Sequence, residues 1–324
     1  MKNWVKIAVS VLLVFSGTFS FADDSQIVNS STAKASESNT TPAQAEQVDD
    51  LITNNSLRAY SGSTSRWSIA SAFNYNGGTF NTPLSQDRPN ISDASGNTVK
   101  ADLDGSISVK YNLNVKNSLM AGVGVRWIAP FEKNGPREYS GTTTDVMNPY
   151  VQYQYLYKWT GIQSVLQVSA MKWTQADQAA FGYDYQLGVD QENVYEIGST
   201  GLSVGASIMG QFQGFNKAGS YSGNGIFVAD LKTQQSTYAF ALSPYLEYQI
   251  TEKLNFRTLI SLWSYEHYAS DDSGVYVHDK VYQSVGVGYA VTRDIFLYPN
   301  IQFLPDQMEP SVTNVSLNAT INMF

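Results

Sequence analysis

From about residue 66 onward, apolar and polar side chains alternate along the chain over long stretches. In the stretch 101–113, ADLDGSISVKYNL, Leu103 and Ile107 share one face, while Asp104 and Ser108 share the other. A period of two residues is typical of a β-strand with one apolar and one polar face, and no helical stripe replaces it downstream of residue 62. The pattern therefore predicts an all-β protein.

Alternating segments of this kind recur along the rest of the chain, and the last of them ends the sequence as VSLNATINMF. Most are longer than the five or six residues of a usual soluble strand, and they suit the roughly 9–11 residues of a tilted membrane strand. The twelve predicted strands are 66–76, 101–113, 118–129, 148–158, 162–173, 183–197, 201–213, 236–250, 254–265, 280–291, 294–304 and 313–324.

The connections between these segments alternate between long and short. The short ones read NVKN, KWTG, STG, TEK and TRD, and each is followed by a long connection. Transmembrane β-barrels sort their loops in this way, with short turns on the periplasmic side and long loops outside. Because an unpaired strand edge is not tolerated in lipid, we expect a closed antiparallel barrel of about twelve strands, in which the last strand pairs with the first.

The N-terminus carries a different pattern. MKNWVK is basic, IAVSVLLVF is a short apolar run, and SFA places small residues at the −3 and −1 positions of a cleavage site, so residues 1–22 are interpreted as a cleaved signal peptide. Residues 23–62 are rich in Ser, Thr, Asn, Ala and Gln, which predicts a flexible periplasmic segment before a barrel domain at 63–324. A plug, a peptidoglycan-facing arm and an oligomerisation element stay open as alternatives for that segment.

Composition narrows the class of partners. The 324 residues include no cysteine, so no disulfide framework holds the fold. The formal net charge of −8 becomes −10 once residues 1–22 are removed, since that segment holds two lysines and no acids. An acidic exported chain is not expected to bind nucleic acid.

The signal peptide, the alternating strands, the aromatic-rich strand ends and the terminal Phe324 together resemble Gram-negative outer-membrane β-barrel proteins of the porin-like class. The resemblance covers residues 63–324 and names no specific family. It implies a location in outer-membrane lipid. It also implies insertion by the outer-membrane assembly machinery, which reads a C-terminal strand ending in an aromatic residue, here Phe324.

If the apolar faces meet lipid, the opposite faces line a lumen. Twelve strands fall between barrels filled by side chains and barrels with open channels, so we expect a narrow, partly obstructed pore for small hydrophilic solutes. Gly122, Gly124, Gly286 and Gly288 share the inner face and are expected to leave room there. The candidate pore-lining residues are Asp102, Asp104, Lys110, Arg126, Gln152, Gln154, Asp184, Gln211, Glu247 and Arg257.

Acids outnumber bases on the polar faces, and rings of Asp or Glu favour cations, so a weak cation preference is expected. The sequence does not indicate the solute, and it allows an oligomer. The loop 214–235 contains the apolar residues Ile226, Phe227, Val228 and Leu231, which suits either an inward constriction or an outward strand extension.

Two alternatives from other functional classes stay open. His267 and His278 lie in the loop EHYASDDSGVYVHDK, with Ser270, Asp271, Asp272 and Asp279 close by, which are residue types that a surface hydrolase of lipids or peptides could use. The spacing matches no catalytic motif, so no catalytic residue, metal ligand or cofactor is assigned and the chain is not expected to be an enzyme. A structural or adhesive barrel with a blocked lumen is the other alternative.

Three details of the pattern give further expectations. Pro244 lies within a predicted strand, where it cannot donate a ladder hydrogen bond, so we expect a bulge or a shortened strand there. Aromatic residues near strand ends, including Trp127, Trp173 and Tyr298, suit girdles at the membrane interfaces. Phe324 falls in phase with the polar face, so either a bulge restores its phase or its side chain turns at the barrel rim.

Overall fold

The computed structural model describes residue 48 and residues 50–91, 98–132, 143–223, 226–270, 276–278 and 281–324. The predicted signal peptide and residues 23–47 therefore lie outside the described part of the chain.

Twelve barrel strands, β1 to β12, follow one another in the order of the sequence. Strand β9 is split into two segments, and the other strands are continuous. The strands are β1 Trp67–Thr79, β2 Asp102–Asn112, β3 Asn117–Ile128, β4 Thr144–Trp159, β5 Ile162–Lys172, β6 Tyr183–Glu196, β7 Leu202–Phe215, β8 Ser236–Gln249, β9 Leu254–Ser261 with Trp263–Tyr268, β10 Tyr282–Ala290, β11 Ile295–Phe303 and β12 Asn314–Met323.

The barrel is closed and antiparallel throughout. Each strand pairs with its neighbours in the sequence, and β12 pairs with β1 in a register that sets Ile69 opposite Met323. Inside the barrel, Asn318 Nδ2 donates to Asn74 Oδ1 at 2.8 Å across this seam, and Asn300 Nδ2 of β11 donates to Asn318 Oδ1 at 2.7 Å. The predictions of the fold class and of the β12–β1 closure are confirmed.

Short additional elements occupy the ends of the barrel. Helix α1, Asn55–Tyr60, precedes β1, and helix α2, Ala176–Ala180, lies between β5 and β6. In the long connections, Asp87–Pro89 pairs with Thr98–Lys100, Tyr221–Gly223 pairs with Ile226–Val228, Tyr276–His278 pairs with β9, and Leu231–Thr233 forms a 3-10 helix. Among the residues that the structure describes, no helix is both long enough and apolar enough to cross a membrane.

The two faces of the strands differ as the sequence pattern predicts. Outward-facing apolar residues such as Val109, Leu119 and Leu187 are exposed on the outer surface, which forms an apolar belt suited to lipid. Exposed aromatic residues lie at both ends of this belt. They are Trp127, Tyr185 and Tyr238 at the long-loop end and Trp67, Trp159 and Tyr248 at the short-turn end.

Not every aromatic residue near a strand end faces outward. Trp173 and Tyr298, which the sequence assigned to the girdles, are buried. Tyr298 pairs with Asn318 on the inward face of β11, so the two-residue period directs its ring into the lumen. Trp173 packs against Tyr183 beneath the long loops, with ring centroids 5.8 Å apart. For these two residues the girdle assignment is wrong.

Strand β9 is interrupted at Leu262, across from Pro244. On its other side Pro244 pairs with Ala206 of β7 without a break. Between β8 and β9, Tyr245 pairs with Leu259 and Leu242 pairs with Trp263. Two residues of β8 thus lie opposite three residues of β9, so β9 has one additional residue here. Proline has no N–H for the ladder, so the irregularity expected at this point appears in the facing strand.

Phe324 lies beyond the last strand, at the short-turn rim. The pairing of β12 with β1 and β11 is regular near the C-terminus, so no bulge restores the phase of this residue. Its backbone has a φ of 78° and its side chain is 78% exposed. Of the two expected arrangements, the structure has the turn at the rim.

Glycines on β10 make room for side chains of the lumen wall rather than for solute. A Cβ added to Gly288 would lie 2.7 Å from Phe296 Cζ, and one added to Gly286 would lie 2.8 Å from Tyr298 Cε2. The rings of Phe296 and Tyr298 on β11 fill the space above these glycines. The expectation of open space beside Gly286 and Gly288 is therefore wrong.

A Gly288→Ala substitution should lower the stability of the barrel by about 1–3 kcal/mol, the usual cost of overpacking. The added methyl group would press on the Phe296 ring and the Asn255 side chain. Urea unfolding from detergent micelles, followed by tryptophan fluorescence, measures the change. Gly210→Ala is the matched control, since an added Cβ there has nothing within 4 Å. Equal stability of the two variants would contradict this packing.

Candidate functional site

Residues 50–66, here called the lumen plug, lie inside the barrel at its short-turn end. Ile52 and Leu57 are completely buried, and Ala59 is 1% exposed. The sequence predicted a flexible periplasmic segment at residues 23–62 and left a plug open as an alternative, and the described residues 50–62 are packed as a plug would be. The few apolar side chains of this segment find partners on the lumen wall, which no local pattern shows.

The apolar side of the plug packs on one part of the wall. Ile52 and Leu57 of the plug, with Val48 just before it, form a cluster with wall residues from five strands, and Leu51 packs against it. The wall members of this cluster are Leu156, Val165, Val194, Tyr245 and Leu259. Removing this apolar surface from water stabilises the plug inside the lumen.

Polar contacts fix the beginning of the plug against the wall. The Asn54 backbone N–H donates to Gln163 Oε1 at 2.7 Å, and Gln163 Nε2 donates to Thr53 Oγ1 at 2.8 Å. Asn54 Nδ2 donates to Glu247 Oε2 at 3.1 Å, and Thr53 Oγ1 donates to Glu196 Oε2 at 2.8 Å. The bonds of Asn54 satisfy buried plug groups that would otherwise lack partners, and those of Thr53 add contacts at the exposed edge of the plug.

The end of the plug is held by strands β2 and β12. Lys110 Nζ donates to the Ser61 carbonyl, and Asn322 Nδ2 donates to the Ala59 carbonyl at 3.2 Å. Ser63 Oγ donates to the Phe324 carbonyl at 2.6 Å. The plug is thus bonded to the C-terminal strand just before the chain enters β1.

Tyr60 anchors the plug between β4 and β5. Its hydroxyl donates to Gln167 Oε1 at 2.6 Å, and its carbonyl accepts from Gln154 Nε2 at 3.3 Å. Burial raises the pKa of Tyr60 well above its usual value, and the negative charges of Asp190 and Glu192 raise it further. The phenol therefore stays protonated and keeps its donor.

A buried ion pair lies on the opposite wall. Arg257 Nη1 is 3.3 Å from Glu247 Oε1, and both side chains are nearly inaccessible. The Arg257 guanidinium also lies over the Tyr245 ring, 4.0 Å from its centroid, and 5.9 Å from the centroid of Tyr298. These side chains occupy the inner face of β8, β9 and β11, and two cavities lie mainly along the other strands.

The first cavity has a volume of about 190 Å³ and is here called the loop-side cavity, and its lining comes from β1 to β7, β12 and the plug. The end of the plug at Tyr60 and Ser61 lines it toward the short turns, and Asn148, Trp173 and Gln175 line it toward the long loops. Lys110 and Asp190 are the two charged residues that line it, and the other polar groups are amides and hydroxyls.

A second cavity of about 320 Å³, here called the turn-side cavity, lies beneath it between the plug and strands β2 to β4. Its lining includes Arg66, Asn112 and Gln154. Ser61, Gly62 and Lys110 line both cavities. The contact between Lys110 and Ser61 therefore lies where the two cavities meet.

The long loops build a small core of their own above the loop-side cavity. Val228 and Leu231 are buried against Trp173, Phe181 and Tyr183. The apolar residues of the loop 214–235 thus join it to the connection between β5 and β6. The sequence left two arrangements open for this loop, an inward constriction and an outward strand extension. In the described residues the loop instead packs on its neighbour.

The ten candidate pore-lining residues lie on the barrel wall as follows, and their role in a pore stays a prediction. Lys110, Gln152 and Gln211 line the loop-side cavity. Asp102 accepts from Arg126 Nε at 2.8 Å, and Asp104 is buried beside that pair. The remaining candidates are Gln154, which bonds the plug, Glu247 and Arg257, which pair with each other, and Asp184, which pairs with Lys172 near the long-loop rim.

Sequence reasoning overlooked Asp190 and Glu192. Both share the two-residue phase of Asp184 on β6, so the same alternation that identified Asp184 could have found them. Tyr60 and the rest of the plug had no comparable signal, because no regular alternation marks residues 50–62.

The histidine loop is described only in part. His267 Nδ1 lies 3.0 Å from Thr237 Oγ1, and its ring stacks on Tyr238 with centroids 4.6 Å apart. Asp271, Asp272 and Asp279 lie outside the described residues, and so does the side chain of His278. Within the described ranges, no group of three or more acidic or histidine side chains is arranged to hold a metal ion.

Comparisons with known proteins find similarity in structure alone. No family model and no curated protein matches the chain. An outer membrane channel from Pseudomonas putida F1 is 8% identical over 81% of this chain and 97% of that one, with a TM-score of 0.46. The KdgM porin in complex with disordered oligogalacturonate is 9% identical over 78% of this chain and 98% of that one, with a TM-score of 0.41. The NanC porin is 11% identical over 79% of this chain and 98% of that one, with a TM-score of 0.38. None of these similarities identifies a solute for this chain.

Proposed function

We propose that this chain is a porin-like channel of the bacterial outer membrane, through which small hydrophilic solutes diffuse passively. The two cavities that meet at Lys110 carry this proposal, because together they follow the open side of the lumen past the plug. The contact between Lys110 and Ser61 is then the narrowest point of the route. We propose transport without an enzymatic step.

The orientation follows from the loops. In barrels of this class the short turns face the periplasm, so the plug and the turn-side cavity are placed there and the long loops outside. The exposed apolar belt between the two aromatic girdles is the surface that would contact lipid. We also propose that the assembly machinery reads the final strand and Phe324.

A weak preference for cations is the finer part of the proposal. On the inner wall, Asp102 and Glu247 are each paired with an arginine and contribute little field of their own. Asp190 and Glu192 add negative charge to the wall. Acidic side chains around a narrow pore favour cations, although Lys110 at the junction of the cavities opposes this effect.

Planar-bilayer recording with a potassium chloride gradient tests both parts. We expect a small conductance and a reversal potential displaced toward that of potassium. A reversal potential displaced toward chloride would contradict the cation preference alone. No conductance, together with no entry of small sugars into proteoliposomes, would contradict the channel.

A structural barrel with a blocked lumen is the second candidate. The burial of Ile52 and Leu57 against five wall residues favours it, because that packing closes much of the short-turn end. The two candidates differ in what removal of the plug does. A structural barrel whose wall side chains also block the lumen stays non-conducting without the plug.

Deletion of Phe324 should reduce the yield of folded barrel in the outer membrane. The exposed ring is available at the rim, and its carbonyl holds Ser63 of the plug. The fraction of heat-modifiable protein on a gel measures the yield. Phe324→Tyr keeps an aromatic C-terminus and should assemble as the parent does. Unchanged yield after the deletion would contradict the proposed assembly signal.

A further inference from the structure

Two charged side chains that line the loop-side cavity form no ion pair with any described residue. Lys110 is only 3% exposed, and within the described ranges its ammonium group makes no ion pair. Its hydrogen-bond partner is the neutral carbonyl of Ser61. An ammonium group has three donors, and a buried one is costly unless an anion or several acceptors surround it.

Asp190 is the second charge. It is half-buried on β6, and no described residue donates a hydrogen bond to its carboxylate or forms an ion pair with it. Other wall acids differ in this respect, since Asp102 accepts from Arg126 and Glu247 accepts from Arg257. The carboxylate of Asp190 is therefore available to a ligand in the cavity.

The end of the plug lies near both charged residues. Lys110 bonds the Ser61 carbonyl. Asp190 is paired with Gln167 across the β5–β6 ladder, and Gln167 accepts from the hydroxyl of the adjacent plug residue, Tyr60. Both charged side chains line the same cavity, and its other polar lining residues are neutral. A positive and a negative group thus face one small polar space from different strands.

We propose that the loop-side cavity binds a small zwitterionic solute, with its carboxylate on Lys110 and its ammonium group on Asp190. This inference rests on the proposed channel function and names the class of solute that occupies it. A purely anionic solute would meet the charge of Asp190, and a purely cationic one would meet that of Lys110. A molecule that carries both charges makes a charge-assisted hydrogen bond at each end.

Calorimetric titration of the detergent-solubilised protein tests this with a series of ω-amino acids, namely glycine, β-alanine, 4-aminobutyrate and 6-aminohexanoate. The matched single-charge probes are acetate and ethylammonium. We expect one chain length to bind at least about tenfold more tightly than either single-charge probe, which is the gain from one additional charge-assisted bond.

Lys110→Met and Asp190→Asn should each remove this preference. Lys158→Met and Glu252→Gln are the matched controls, because both residues are exposed near the short turns and neither lines the cavity. Their zwitterion affinity should equal that of the parent. If Lys110→Met fails to fold, Asp190→Asn still decides the question, since its side chain is less buried.

Equal affinity for acetate and every ω-amino acid would overturn the inference, and so would the absence of binding, because Lys110 and Asp190 would then neutralise each other without a ligand. If the parent protein conducts potassium chloride but binds no zwitterion, the zwitterion site alone is contradicted. Binding without conductance contradicts the channel alone.

Discussion

Deleting residues 23–62 should raise the single-channel conductance several-fold. The deletion removes the plug residues up to Gly62, including the apolar cluster of Ile52 and Leu57 and the Ser61 carbonyl that holds Lys110. Water would then fill the short-turn end of the lumen, and the two cavities would become one path. Planar-bilayer recording of the purified barrel measures the increase.

Deletion of residues 23–47 alone is the matched control, since it keeps every described plug residue. This shorter deletion should conduct as the parent does. An equal increase in both variants would mean that residues 23–47, and not the plug, limit the current. An unchanged conductance after the longer deletion would contradict the plug as the constriction and favour the structural barrel.

A cross-link tests the same point without removing any residue. The chain has no cysteine, so Thr53→Cys and Gln163→Cys would be its only thiols. These side chains touch in the structure, with 2.8 Å between Gln163 Nε2 and Thr53 Oγ1. A short bifunctional reagent that joins the two thiols through disulfide bonds should hold the plug on the wall, so the conductance should stay low in mild urea. After the disulfide bonds of the bridge are reduced, the plug is free to leave the wall and the conductance of the same molecules should rise.

Replacing Arg257 by Met should destabilise the barrel by about 3–5 kcal/mol, the usual cost of leaving one member of a buried ion pair without the other. Glu247 would lose a partner 3.3 Å away in a wall that excludes water. Tyr245 would also lose the guanidinium above its ring. Urea unfolding in lipid vesicles, read by gel mobility, gives the change in the free energy of unfolding.

The double substitution Glu247→Leu with Arg257→Met should recover much of that loss, because it removes both charges and keeps apolar volume. If the double variant regains stability, the unpaired Glu247 carboxylate is the cause of the stability that Arg257→Met loses. A double variant as unstable as Arg257→Met alone would instead assign the loss to packing of the guanidinium on Tyr245 and Tyr298.

The alternation of side chains predicted most of the wall correctly, including the inward placement of Lys110 and Glu247. The same alternation places Asp190 on the inner face of β6, six residues after Asp184, although it was not among the predicted residues. It could not indicate that Tyr298 and Phe296 would lie over glycines of the neighbouring strand, since that contact depends on the register between β10 and β11.

The sequence by itself determined the number of strands, the order of long and short connections, the closure of β12 on β1 and the face of most wall residues. These follow from a two-residue period and from the need to pair every strand edge in lipid. Only the tertiary structure decided that the lumen is half filled and that residues 50–66 occupy its short-turn end. Ile52 and Leu57 are buried by strands about a hundred or more positions away, and a local pattern carries no information about such partners.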